Sequence, residues 1–446
     1  MSKFARILSL LLVTVLLGGM LIACEQKPVT PEPPVDEVPV EEPVEEPVEE
    51  PVEEEPVEEE PVEEPVEEEP EPEPTTRVGG WLDEIVVSII DAPSVIVQME
   101  ADAVDVYVNG FGTNDLDQLN DSGLPYTTSN GTYYTLQFNP AEFNEGLNVF
   151  RNRKIREAFN YLIDRNYINQ EFYAGGALPK WFAIMTNFGD YALLADTARR
   201  LETKYAYNFE KAKEIIDAEM EAAGYPLTDG KYMNADGEQY EVIFLVRNDG
   251  DGTRKAWGTY LTGQMEKLGF AVNVKEGTGG DLGPIWIAGD PKAGEWHMYT
   301  GGWGASVLNR DQSNIFQEMY LPTSAQGLPV FMENDSDPEF QELGDKLYNR
   351  EFTTMEQRAE MMARALELSL EDSLQVMIVD SKRFVPHREG LVVTTDLAAG
   401  VESAQITPFT LRWADQEGGT VRWATQPFLF NGPWNPVRGS NTTSDQ

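Results

Sequence analysis

The chain is poor in the residues that carry most side-chain chemistry. Its 446 residues include one cysteine and two histidines. A single thiol excludes an internal disulfide framework and a cysteine-ligated zinc site. Two histidines leave no histidine-rich metal cluster, and neither His297 nor His387 lies in a motif of the serine–histidine type. Positive charge is scarce too: 33 Lys and Arg stand against 77 Asp and Glu, for a net charge of −44. Such a surface repels phosphate backbones and argues against nucleic-acid binding.

What is present is unevenly distributed. Lys3 and Arg6 precede an apolar stretch from Ile7 to Leu21, the arrangement of a secretory signal. It is too short for a membrane span. It closes with Leu21-Ile22-Ala23-Cys24, which is similar to the lipobox of bacterial lipoproteins, and Cys24 is the only thiol in the chain. Residues 1–23 are therefore expected to be a lipoprotein signal peptide and Cys24 the lipid-attachment residue, with a plain signal peptide as the alternative. The lipid would hold the protein on the outer face of the cell membrane.

Residues 31–76 repeat Val-Glu-Glu-Pro and Val-Glu-Glu-Glu-Pro, with 22 acidic and no basic side chains. Proline every four or five residues blocks helix and sheet, and like charges extend the chain. At polyproline II spacing the segment reaches about 140 Å. Residues 24–76 are read as an acidic tether. With a net +2 on the first 30 residues, 24 of the 44 net negative charges fall on 77–446, which is rich in aromatic residues and able to bury a core.

The remaining sequence predicts an α/β fold. Trp81–Ile90 reads as a strand buried on both faces, followed by a helix to about Ala101 and a strand at Val104–Val108. Tyr133–Phe138 is a predicted strand and Lys154–Asn166 an amphipathic helix. The clearest unit is a helix capped by Asn208 and stopped by Gly224, then a strand at Tyr240–Val246, a helix at Thr253–Leu268 ended by Gly269, and a strand at Phe270–Lys275. That order implies a parallel crossover. Trp296–Thr300 is a further strand, running into Gly301-Gly302-Trp303-Gly304, read as a glycine-rich loop. Thr354–Leu370 is a long helix with a strand at Leu374–Val379 behind it.

These segments resemble the family 5 extracellular solute-binding proteins of ABC importers, the oligopeptide- and nickel-binding type. The pieces that carry the resemblance are Trp81-Leu82-Asp83-Glu84-Ile85-Val86, Ala101-Asp102-Ala103-Val104-Asp105-Val106, Tyr134-Thr135-Leu136-Gln137-Phe138-Asn139 with Arg153-Lys154-Ile155-Arg156-Glu157-Ala158, Phe209-Glu210-Lys211-Ala212-Lys213 with Ala223-Gly224-Tyr225, and Gly302-Trp303. They run in the family's order over about 80–440. The resemblance implies lobes like those of type II periplasmic binding proteins with mixed sheets. Residues 77–150 are assigned to lobe I and 151–390 to lobe II. Residues 391–446 return to lobe I and begin a further lobe I segment that is cut short. Gly418-Gly419-Thr420-Val421-Arg422-Trp423-Ala424-Thr425, with Asn435-Pro436-Val437, resembles the start of a family member's mature chain but arrives last. A permuted or duplicated order with one incomplete lobe is expected.

The resemblance implies binding without catalysis, no cofactor and no metal. The expected partners are a peptide or other organic solute, the ABC permease subunits, and the membrane through the anchor. Peptide-binding members commonly carry Gly-Trp-x-x-Asp, whose carboxylate pairs with a peptide's α-amino group. Ser306 stands at that position, and a hydroxyl cannot supply the charge-assisted bond. An oligosaccharide is therefore the rival solute. A surface adhesin or a glycan-active hydrolase are readings from other classes.

The candidate ligand-binding residues are Gly302, Trp303, Ser306, Asp311, Tyr134 and Asn139. Glycines admit a ligand to the backbone, and an indole offers a flat wall with one donor. Each has a bland alternative: a packed core Trp, a turn Ser, a helix-capping Asp311, a core Tyr134 and a turn-forming Asn139. Asn248-Asp249-Gly250-Asp251-Gly252 lacks the spacing of a calcium loop and reads as a turn.

Overall fold

The computed structural model describes residues 79–304, 310–396, 399–401 and 406–426. All lie in the compact unit Pro74–Gln446. The signal, Cys24, the tether, Ser306 and Asn435-Pro436-Val437 fall outside the described residues. In chain order the main elements are β1 (Glu84–Ile89), α1 (Ala92–Glu100), β2 (Val106–Tyr107), β3 (Tyr126–Phe138), α2 (Arg153–Leu162), α3 (Arg165–Phe172), β4 (Leu178–Pro179), α4 (Phe209–Ala222), β5 (Glu241–Arg247), α5 (Thr253–Leu268), β6 (Ala271–Gly277), α6 (Gly279–Trp286), β7 (Met298–Gly304), α7 (Ile315–Tyr320), α8 (Pro338–Tyr348), α9 (Met355–Asp372), β8 (Gln375–Pro386) and β9 (Thr420–Thr425).

Six strands form one mixed sheet in the order β4-β8-β3-β7-β5-β6. β3 runs antiparallel to both β8 and β7, while β5 is parallel to β7 and β6. The β5-α5-β6 crossover matches its expected bounds closely. Its apolar runs are short, and Gly269, at φ +122°, ends the helix where a side chain would be strained. Asn208 caps α4 by accepting from the Lys211 amide, as expected. The predicted helix over 154–166 is instead two helices, because Asp164 caps a second start by accepting from the Tyr167 amide.

A smaller sheet has the order β1-β9-β2, all parallel. β9 belongs to the segment that resembles the family's opening. It lies in the centre, with Glu84 opposite Thr420 and Ile89 opposite Thr425. An ionic clasp fixes it. Asp105, 1% exposed, accepts from the Arg422 amide (2.7 Å), its Nε (2.9 Å) and its Nη2 (2.6 Å). Burial opposes ionisation of Asp105, but the bonds from Arg422 and then Arg388 hold its carboxyl below the usual range.

Three sequence expectations change. β1 is an edge strand, not one buried on both faces: Val86, Val87 and Ile89 are exposed, since β9 is its sheet neighbour on one side only. β3 begins at Tyr126, because pairing with β8 carries the polar stretch through Asn130-Gly131 as strand. Of the span 77–150 assigned to lobe I, residues 126–138 thus sit in the six-stranded sheet. Finally, Gly301–Gly304 is strand, not loop, since β3 pairs with it as far as Gly304. Beyond β8, Leu391, Val401, Leu411 and Val421 share a core with Val385, Val106 and Val108. No helix among the described residues is long and apolar enough to cross a membrane.

His297 locks β5 to the chain entering β7. Its Nδ1 accepts from the Ile243 amide (3.0 Å), and Phe143, Phe150 and Tyr240 ring it edge-on. Burial, with a smaller contribution from the Lys275 charge, pushes its pKa from 6.5 down to about 4. The neutral ring is the folded form, so the unfolded chain binds the extra proton. Its contribution is complete above pH 6.5 and is lost as pH falls toward about 4, amounting to about 3 kcal/mol. We expect His297→Asn, which keeps an acceptor without the titration, to flatten the difference in urea-unfolding stability between pH 7 and pH 4.5. An unchanged slope would contradict this assignment.

Candidate functional site

Strand register assembles the site. β3 and β7 pair so that Tyr134 lies opposite Gly302 and Tyr133 opposite Trp303. Both glycines are required by neighbours within the fold. A Cβ on Gly301 would come 2.6 Å from the Thr135 hydroxyl. One on Gly302 would come 3.2 Å from the Tyr134 ring and 3.4 Å from Arg254 Nη1. Gly302 is nevertheless exposed on its other side.

Trp303 is half-buried at the end of β7. Its indole nitrogen donates to Gln375 Oε1 (2.9 Å), and Gln375 in turn donates to the Met319 carbonyl. Phe331 stacks near one ring face at 6.4 Å, and Trp286 meets it edge-on. The single donor expected for a ligand is therefore already engaged. What remains is a held aromatic surface at the strand end.

On the other face of β3, Tyr134 is 3% exposed. Its hydroxyl accepts from Arg383 Nη2 (2.6 Å) and donates to Asp251 Oδ2 (3.5 Å). Arg254 lies over its ring at 5.3 Å. Asp251, between Gly250 and Gly252 at the entry to α5, also accepts from the Thr253 amide (3.1 Å) and hydroxyl (2.6 Å). Burial opposes the charge on Asp251, but Arg383, Thr253 and Arg254 together hold its carboxyl below the usual range. Asp249 binds the Arg247 fork through both oxygens at 2.6 Å and lies 3.6 Å from Arg254. The Asp-Gly-Asp turn is thus a holder of arginines. Arg254 is 9% exposed, and its Nε has no hydrogen-bond partner. A buried guanidinium donor without an acceptor is costly unless something else fills the role.

The small-sheet side approaches the same cluster. Gly112 packs close to Asp251, and a Cβ there would meet Oδ2 at 3.2 Å. Burial, then the Asp251 charge working against the Gly112 amide bond, raises the Asp115 carboxyl above its usual value.

Of the sequence candidates, the register sets Tyr134 against Gly302 on one face of the sheet and sends the Trp303 side chain, with Tyr133, to the other. Asn139 lies five residues from Tyr134 along β3, about 17 Å away. It is 0% exposed, its amide donating to the carbonyls of Pro291 and Trp296 and its oxygen accepting from Ala141. Asp311 caps a short turn by accepting from the Ser313 amide and joins Arg358 (2.7 Å) and Arg350 (3.1 Å). Arg358 also forks onto Asp190, which ties Asp311 into the helical layer. Sequence reasoning missed Arg254, Asp251 and Arg383. The signal was faint: an Arg two residues after an Asp-Gly at a helix start.

The family model for bacterial extracellular solute-binding proteins, family 5 (middle part), matches residues 78–326. The chain belongs to this family. No curated protein matches. Among solved structures, the oligopeptide-binding protein AppA from Bacillus subtilis, in complex with a nonapeptide, is 16% identical at a TM-score of 0.56, covering 73% of this chain and 59% of that one. NikZ from Campylobacter jejuni, in complex with Ni(L-His), is 16% identical at 0.55, covering 72% and 60%. AgaA from A. tumefacien R10, in complex with agropinic acid, is 18% identical at 0.55, covering 73% and 60%. These likenesses establish the fold, the mixed-sheet α/β architecture of type II periplasmic binding proteins. The chain spans about 60% of the length of these relatives, which fits an incomplete lobe.

The Tyr134–Asp251–Arg383 triangle should be a coupled unit. We expect Asp251→Ala to lower urea-unfolding stability by about 2 kcal/mol, because the buried carboxylate accepts from the Thr253 amide and hydroxyl and pairs with Arg383. Arg383→Ala in the same background should then cost much less than it does alone. Additive losses would show the triangle to be incidental.

Proposed function

We propose that this protein is a lipid-anchored solute-binding component of an ABC importer that captures an organic solute by a carboxylate. The observation that carries the reading is Arg254, a buried guanidinium with an unpartnered Nε beside the exposed backbone of Gly302. A guanidinium fork recognises a carboxylate better than any other side chain, and low polarity around it strengthens the bond. Trp303, whose side chain leaves the opposite face of β7, would offer an apolar wall at the strand end to the rest of the solute. The solute is a peptide by family resemblance. Ser306, in place of the family's aspartate, favours a peptide whose amino end is blocked or held elsewhere. Capture is followed by closure of two lobes about the chain that crosses between them. The loaded form is then passed to a membrane permease. The function is binding and not turnover. Cys24 would carry the lipid, and the acidic tether would space the domain from the outer face of the membrane.

Thermal-shift titration of the full chain with trialanine, N-acetyl-trialanine, trialanine amide and cellotriose tests this. The first two should raise Tm equally, and the amide should not. Arg254→Gln and Trp303→Ala should each weaken the response at least about tenfold. A response to the amide equal to that of the acid, or to cellotriose alone, would overturn the carboxylate reading.

A further inference from the structure

The outer faces of α3 and α5 leave an open groove of about 640 Å³. Its aromatic lining is Tyr167, Phe172, Tyr207 and Tyr260. Tyr167 stacks on Tyr260 with centroids 4.8 Å apart and planes at 30°, and Phe172 braces Tyr167 edge-on at 6.0 Å. Stacking covers one face of Tyr167, yet the residue is 42% exposed, and Tyr207 beside it is 44% exposed. Apolar rings left in water on a braced platform are not explained by core packing.

A second observation concerns the floor. Gly263 lines the groove from the interior of α5, where glycine is the poorest helix former after proline. The other interior glycine of α5, Gly258, has a packing reason, since a Cβ there would meet Val246 at 2.9 Å. A Cβ on Gly263 would meet nothing within 4 Å. The fold does not need the glycine, whereas an object lying in the groove would.

Charge defines that object. On a chain with a net charge of −44, the groove presents one carboxylate, Asp164, and one ammonium, Lys267. Gln264 adds an amide that both donates and accepts. A charged ligand finds no net attraction here. A pyranose ring has a flat C–H face for a tyrosine ring and a rim of hydroxyls that donate and accept. We infer that the α3–α5 groove is a second binding site, for a neutral β-linked hexopyranose chain, with Tyr167 and Tyr207 as platforms and Gly263 as the clearance beneath. It is independent of the solute cleft, which uses the other end of α5.

Saturation-transfer NMR on the full chain with cellohexaose and chitohexaose tests the inference. Transfer to ring C–H protons is expected with at least one of the two. Tyr167→Ala and Tyr207→Ala should each weaken binding by about tenfold, and Tyr167→Phe should retain it. Gly263→Ala should raise Tm while weakening binding, a combination that a folding defect cannot produce. Absence of transfer from both sugars, transfer insensitive to these variants, or transfer only to a polyproline peptide would overturn the proposal.

Discussion

The pairing of β3 between β7 and β8 is the constraint on which the site depends. A slip of one residue would turn every side chain to the opposite face. The glycines match this register: a side chain at 301 would meet the Thr135 hydroxyl at 2.6 Å, and one at 302 would sit tightly, at 3.2 Å, against the Tyr134 ring. From that register follow both halves of the site. Trp303 falls within reach of Gln375, and the Tyr134 hydroxyl falls between Arg383 and Asp251. The glycines are thus first a requirement of the sheet. The exposed backbone they leave is what a solute can use.

Electrostatics then sets what the strand ends can hold. Arg247 is matched by Asp249, and Arg383 by Asp251 and the Tyr134 hydroxyl. Arg254 has a loose approach to Asp249, the Tyr134 ring beneath it and an unfilled Nε. Asp251 also lies close to Gly112, where a Cβ would meet its Oδ2 at 3.2 Å.

The parts of the fold legible in the sequence are those whose signals are local. Asn208 caps, Gly224 and Gly269 stop helices, and the continuous apolar run Val242–Val246 marks β5. Strand ends are less legible, since pairing and not composition decides where β3 begins and β7 stops. Trp303 and Tyr134 stand out in the sequence as single residues, whereas which strand residue faces each of them follows only from the register. Arg383 lies more than 130 residues from Asp251 in sequence, and no periodicity marks such a pair. Asp311 and Asn139 show the converse: polar residues in suggestive places whose bonds go to the backbone and to buried arginines. The strand β9 was recognisable by resemblance, but its place between β1 and β2 follows only from the structure.

The most direct test of the account is hydrogen–deuterium exchange of the full chain with and without N-acetyl-trialanine. The account predicts slower exchange at the strand end 300–304 and at the α5 entry 250–254, with the α3–α5 groove unchanged. Protection centred on Asn139 or Asp311, or none at the strand end, would contradict a carboxylate-binding cleft built on Arg254, Gly302 and Trp303.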